Sequence, residues 1–215
     1  MMKIYLAGPE VFFPAPQKEG QRLKDMCADH GFEGVFPLDG EVGMEGLAAW
    51  EIAGAIFDAN IQKIDQCSAV IANMTPFRGP GMDGGTAFEI GYAYSEGKLI
   101  VGWSSDDRDY IDRVREYFGG KLEQSDRWRD PQGLEVEDFG QPDNLMMSSA
   151  LIDVVSDFET ALKLLKKVVS QRQATKSESH CPTQWPITRS LSFWRGSNLS
   201  FVISWDLISS EILEI

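Results

Sequence analysis

The amino-acid sequence predicts a flavodoxin-like α/β fold, an open parallel sheet with helices on both faces that makes a three-layer sandwich. Short apolar runs at residues 3–7, 68–74 and 98–103 read as strands, and the middle one is nearly continuous, as expected of a strand covered on both faces. Segments with apolar residues at three- to four-residue spacing lie between them, so strand and helix alternate, which implies right-handed crossovers between parallel strands. Loops rich in glycine and proline follow the strands, and in such sheets ligands bind beyond the carboxyl ends of the strands.

Each element follows from its residues. Strand one, residues 3–7, ends at Gly8-Pro9, the punctuation of a strand entering a loop. Residues 17–30 place Leu23, Met26 and Cys27 on one stripe among charged neighbours, and Gly31 stops that helix. A second short strand is expected at 34–37, a glycine-punctuated connection at 40–46 and a long helix over 47–67. Strand 68–74 then leads through a Gly- and Pro-rich loop, 75–85, to a helix over 86–96 and the strand 98–103. After a helix over 109–118, residues 119–142 are polar and irregular. Residues 151–169 return to helical spacing, with Phe158, Leu162 and Leu165 on one face. The core is expected to close there, dividing the chain into a domain over 1–169 and a Ser- and aromatic-rich tail over 170–215 without sustained period.

Composition removes several classes of function. With 20 basic and 33 acidic side chains the net charge is −13, which repels nucleic-acid phosphates and anionic lipid and suits substrates that are neutral or develop positive charge. No apolar stretch approaches the roughly 20 residues that a membrane helix requires. The 3 cysteines, Cys27, Cys67 and Cys181, are widely spaced, so neither a disulfide framework nor a metal site is indicated. The first residues turn polar within a few positions and lack the apolar centre of a signal peptide, and we expect a reducing cytoplasm.

Residues 73–93 are the most informative segment. A buried strand passes through a glycine-rich loop into a helix, with Asp83 just before the helix and Glu89 one turn inside it, so two carboxylates meet at a cleft. Thr86-Ala-Phe-Glu89 also fits a capping box, in which Thr86 caps the helix and Glu89 reaches back to its amide. The chemical reading uses the same place: a helix N-terminus favours ionised carboxylate by about 0.3–1 kcal/mol and leaves Glu89 available as a nucleophile. Asp83 then handles protons. One carboxylate attacking an anomeric carbon while another serves the leaving group is the double displacement of retaining glycosyl transfer, and it needs no metal or cofactor. Gly79, Gly81, Gly84 and Gly85 compete as a phosphate cradle. That reading is weak, because no P-loop or dinucleotide-binding motif is present and Arg78 is the only cation nearby in the sequence.

Lys3-Ile-Tyr-Leu-Ala-Gly-Pro9, Asn60-Ile-Gln-Lys-Ile64, the stretch from Asp83 to Ala93, and Phe139-Gly-Gln-Pro-Asp-Asn-Leu-Met146 together resemble the nucleoside 2-deoxyribosyltransferases, over about residues 1–169. The resemblance implies exchange of the base on a 2′-deoxyribonucleoside through a covalent deoxyribosyl-enzyme ester, in nucleoside salvage and without a cofactor. On that analogy Glu89 is the nucleophile, Tyr5 holds and orients it, and Asp83 protonates the departing base and contacts the sugar. Gly8 and Asn60 become substrate-binding positions, the Asn60 amide both donating to and accepting from a base edge. Asn144 and Met146 match an element that reaches from one subunit into its neighbour's pocket, which implies a homodimer or larger homo-oligomer with shared sites. By themselves they read as a helix cap followed by a core methionine.

The implied partners are small 2′-deoxynucleosides and free nucleobases, and a shared site that excludes water favours transfer over hydrolysis. Phe12, Phe13 and Trp50 are candidates for a base-stacking wall, although single aromatics more often belong to a core. Two alternatives remain open on the residues. One is an N-glycosidase hydrolysing 2′-deoxynucleoside 5′-monophosphates, against which the first loop, Glu10-Val-Phe-Phe13, counts for want of phosphate-binding groups. The other is a non-catalytic nucleoside-binding module, against which Tyr5 and the two carboxylates count.

Overall fold

The computed structural model describes residues 1–178. In chain order these form β1 (Met2–Ala7), α1 (Pro16–Asp29), β2 (Phe32–Val35), α2 (Ala49–Asp65), β3 (Ala69–Asn73), α3 (Gly84–Ser95) and β4 (Leu99–Trp103). There follow α4 (Tyr110–Tyr117), β5 (Glu123–Gln124), β6 (Trp128–Arg129), α5 (Leu145–Ser148), β7 (Val154–Val155) and α6 (Phe158–Glu178). A single 3-10 turn, Pro9–Phe12, follows β1. The main sheet has the order β2-β1-β3-β4-β7 with every pairing parallel, which is the doubly wound flavodoxin order that the sequence leads one to expect.

Burial explains the layers. All five residues of β3 are buried, so this strand has no solvent face. Along β1 the pleat sends Ile4 and Leu6 to one side, where Leu23 and Cys27 of α1 and Phe158, Ala161, Leu162 and Leu165 of α6 cover them. Tyr5 and Ala7 go to the other side, with Ile64 of α2 and Ile90 and Ala93 of α3. A satellite cluster of Ile111, Val114 and Val136, supported by Leu122 and Trp128, lies under the antiparallel β5–β6 ladder. The stretch expected to be irregular is thus anchored to α4. Among the described residues no helix is long and apolar enough to cross a membrane.

Several boundaries differ from expectation. β2 is displaced toward the N-terminus because Asp39 closes a turn at Phe36: its carboxylate accepts from the Phe36 amide at 2.8 Å and its own amide donates to the Phe36 carbonyl at 2.9 Å. Residues 151–169 are not one helix. Val154–Val155 pair with Gly102 and Trp103 as the fifth strand, and α6 begins only after Asp157, whose carboxylate accepts from the amide and hydroxyl of Thr160, each at 2.8 Å. α6 then runs on through Ser170 to Glu178, past the expected boundary at 169. The rest of the expected tail, 179–215, including Cys181, lies outside the described residues.

Gly20 of α1 packs against a buried ring: a Cβ there would lie 2.4 Å from Phe36 Cδ1. Glycine to alanine inside a helix ordinarily stabilises by about 0.5–1 kcal/mol, but this site has no room. Gly20→Ala is expected to destabilise by about 1–3 kcal/mol through overpacking. A urea titration measures it, and a variant as stable as the parent would contradict the packing described.

Candidate active site

Register on β1 positions the first functional side chain. Tyr5 pairs with Val35 on one edge and Val70 on the other, is fully buried, and projects into the α3 layer. Its hydroxyl donates to Glu89 Oε1 at 2.5 Å, a contact spanning 84 residues of chain. Burial and the negative charge of Glu89 push the Tyr5 hydroxyl far above its ordinary range, so it is a permanent donor.

Burial raises the Glu89 carboxyl to about 7; the Tyr5 hydrogen bond opposes this, and the charges of Asp83 and Glu10 add to it. These neighbouring charges are both acidic, so ionised Glu89 is steadied by a neutral donor.

Asp83, not Thr86, caps α3. Its Oδ2 accepts from Thr86 N at 3.0 Å and Thr86 Oγ1 at 3.2 Å, so the helix starts at Gly84. The capping-box reading of Thr86 and Glu89 therefore fails, since the Glu89 carboxyl faces β1. Gly85 has a role here: a Cβ would stand 3.0 Å from Asp83 Oδ2, so the glycine gives the capping carboxylate its space.

Two residues that sequence reasoning missed complete this end of the sheet. Glu10 is buried, and its Oε1 accepts from Asn73 Nδ2 at 2.7 Å, while Asn73 Oδ1 accepts from Thr75 N at 2.9 Å. Burial raises the Glu10 carboxyl and the Asn73 bond lowers it. The available signal was a polar Asn ending an otherwise apolar strand. Gly8 makes this possible, because a Cβ there would fall 2.0 Å from Glu10 Oε2.

The other sequence candidates stand apart from the Tyr5–Glu89 pair. Asn60, on α2, accepts at Oδ1 from Lys63 Nζ at 3.4 Å; no hydrogen bond joins it to Tyr5, Asp83 or Glu89. Asn144 caps α5, its Oδ1 accepting from Met146 N at 3.0 Å and its Nδ2 donating to Glu137 Oε1 at 2.6 Å. The cap reading holds, but the core-methionine reading does not, because Met146 is 72% exposed. Phe12, Phe13 and Trp50 are also exposed rather than core. Arg78, with a left-handed φ of 57°, lays its guanidinium over Phe77 at 4.6 Å and Phe12 at 5.2 Å, and those two rings stack at 5.5 Å.

Residues 4–146 match the model of the family described as nucleoside 2-deoxyribosyltransferase. The chain belongs to that family. Every candidate side chain named above, from Tyr5 to Met146, lies inside the matched span, which ends on Met146. A protein of Schizosaccharomyces pombe, described as uncharacterized, is 33% identical over 187 residues, or 79% of this chain and 89% of the relative. The solved 2-desoxiribosyltransferase from Leishmania mexicana is also 33% identical, with a TM-score of 0.59, covering 78% of this chain and 98% of that one. A conserved protein from Enterococcus faecalis, 19% identical with a TM-score of 0.51, shares the fold over 80% of this chain and 99% of its own. The family is one of enzymes acting on nucleosides and nucleobases.

The raised Glu89 carboxyl fixes a sign for stability in this deoxyribosyltransferase fold. An unfolded glutamate ionises near 4.5 and the native one near 7, so between those values the native state binds more protons. The stability contributed by protonated Glu89 is complete below about 4.5 and is lost as pH rises through about 7. Glu89→Gln is expected to be more stable than the parent at pH 8 by roughly 3 kcal/mol, and equal to it near pH 4. Urea midpoints at the two pH values measure this, and equal midpoints at pH 8 would contradict it.

Proposed function

We propose that the protein exchanges the base of 2′-deoxyribonucleosides by double displacement on Glu89, as a pentosyltransferase of nucleoside salvage. The observation that carries this reading is the Tyr5–Glu89 hydrogen bond of 2.5 Å beside the helix-capping Asp83. A carboxylate fixed by one neutral donor keeps its second oxygen for attack. In the first step a Glu89 oxygen bonds to the sugar C1′ as the bond to the base breaks; the electron pair leaves on the base nitrogen, which takes a proton by way of Asp83. In the second step the nitrogen of a new base attacks C1′ and gives up its proton by way of Asp83, the ester bond to C1′ breaks and the Glu89 carboxylate is restored. Two inversions retain configuration.

The electrostatics support this. Positive charge builds on the sugar as the bond to the base breaks, and Glu89 lies within the field of two further acids, Asp83 and Glu10. The same charges disfavour a 5′-monophosphate, and Arg78 is occupied with the faces of Phe12 and Phe77.

The unit of function on this reading is a homodimer or larger homo-oligomer, in which Asn144 and Met146 complete the neighbouring copy's pocket and Asn60 and Gly8 border the substrate. Supporting this are the unusually apolar outer faces of α2 and α3, where Trp50, Phe57 and Phe88 are exposed and the Phe57 and Phe88 rings lie 5.6 Å apart.

Incubation with deoxyinosine and adenine or cytosine, followed by separation of products, is expected to yield the new deoxynucleoside, and rapid quenching to trap a deoxyribosyl adduct by intact mass. Preference for a 5′-monophosphate with sugar passed to water would replace this reading with hydrolysis. Glu89→Ala is expected to abolish exchange with the fold intact. Tyr5→Phe should lower kcat/KM at neutral pH by about ten- to hundredfold, the effect of one hydrogen bond to an ionised acceptor. It should also move the acidic limb of the pH profile upward, since the Tyr5 bond holds the Glu89 carboxyl down. An unchanged profile would count against the pairing of Tyr5 with the reacting carboxylate.

A further inference from the structure

Away from Glu89, one polar arrangement is buried more deeply than any other ion pair among the described residues. Arg113 of α4 and Asp143 each have side chains 2% exposed, with Arg113 Nη2 3.6 Å from Asp143 Oδ2. Taking two charges out of water is costly and seldom adds stability over an apolar pair. Arg113 even leaves Nε and Nη1 without acceptors, where buried donors are normally satisfied. An arrangement this expensive calls for a reason other than stability.

Its hydrogen bonds supply one. Asp143 Oδ2 accepts from the amide of Met82 at 2.9 Å, the residue before Asp83. Its Oδ1 accepts from the amide of Asn144 at 2.8 Å. Ser148, at the end of α5, accepts from Asp143 N at 3.1 Å and donates to Asp143 O at 2.9 Å through its hydroxyl. Arg113 Nη2 also donates to the carbonyl of Pro142, and its helix is seated through Ile111 and Val114 on Val136. One carboxylate therefore grips two segments far apart in sequence, the loop that ends at Asp83 and the turn that begins at Asn144, and an arginine fixes that carboxylate from a third.

We propose that Arg113 and Asp143 are positioning residues that lock the Asp83 loop to the Asn144 turn, so that the acid of one copy's site and the element this copy lends to its neighbour's site keep one fixed spacing. The functional half of this statement rests on the roles proposed above for Asp83 and Asn144; the mechanical half does not. Neither Arg113 nor Asp143 is assigned contact with the substrate.

Two measurements on the full chain test it. Asp143→Asn preserves size but has one acceptor oxygen for two amides. Hydrogen exchange read by mass spectrometry is expected to quicken by about tenfold or more in the segments around both 79–86 and 141–148, while β1 and α6 keep their protection. Unchanged exchange, or a rise confined to one segment, overturns the lock. In base-exchange kinetics, at a temperature where circular dichroism shows the variant folded, kcat is expected to fall about tenfold or more and KM to rise. A lower melting temperature with kcat and KM retained overturns the positioning role. Should Asp143→Asn not fold, Arg113→Lys keeps the charge without the planar fork and is expected to change the same two segments to a smaller degree; no change in either overturns the lock. A parent that exchanges no bases refutes the proposed activity, and the hydrogen-exchange result then still decides whether the two segments are locked.

Discussion

The bond from Tyr5 to Glu89 ties the register of a buried strand to the position of a helix. Tyr5 reaches α3 only because β1 is paired on both edges, and a slip of one residue would turn its ring toward α1 and α6 and bring Leu6 to Glu89. Apolar packing enforces the distance, since Ile90 and Ala93 of α3 press on the sheet face that carries Tyr5 and Ala7. A polar contact of 2.5 Å is thus specified by side chains that carry no charge.

Around that contact the carboxylates share a pattern. Glu10 is matched by Asn73, Asp83 by Thr86, and Glu89 by Tyr5. Each acid is paired with a neutral donor, so its charge is held in place without being cancelled. The result is a concentrated negative field in a region of restricted water, where charge interactions are stronger than in bulk solvent. Burial, with that field adding to it, raises the Glu89 carboxyl and costs the native state stability at neutral pH. On the base-exchange reading, the field is what the sugar meets as its bond to the base lengthens.

Much of this was legible in the sequence, and the illegible parts share a cause. β1, β3, β4, α1 and α3 announce themselves by apolar runs, helical spacing and glycine stops. β7 does not, because Val154–Val155 is too short to carry a period. The end of α6 was missed because Ser170, Gln171, Arg172 and Gln173 carry no apolar stripe. Asp83 and Glu89 could be singled out from the local chemistry of a strand-to-helix loop. Which residue caps α3 could not, since Thr86 and Asp83 are both good caps and only the direction of the Glu89 side chain separates the readings. The Tyr5 partnership was accessible through family resemblance alone. Glu10 with Asn73, and Arg113 with Asp143, are polar pairs between distant segments, and such pairs leave no periodic trace in the chain.

The helix farthest along the described chain covers its earliest strands. Phe158, Ala161, Leu162 and Leu165 of α6 seal Ile4, Leu6, Ala69, Ile71 and Val101. During synthesis, at about 5–20 residues per second, those strands leave the ribosome on the order of ten seconds before their cover arrives. A nascent chain that stops short of Phe158 presents a bare aliphatic sheet face, the kind of surface that chaperones hold and that aggregates when they do not. Completion of the sheet end that carries Tyr5 and Glu89 therefore waits on a helix that packs against the opposite side of the sheet from Glu89.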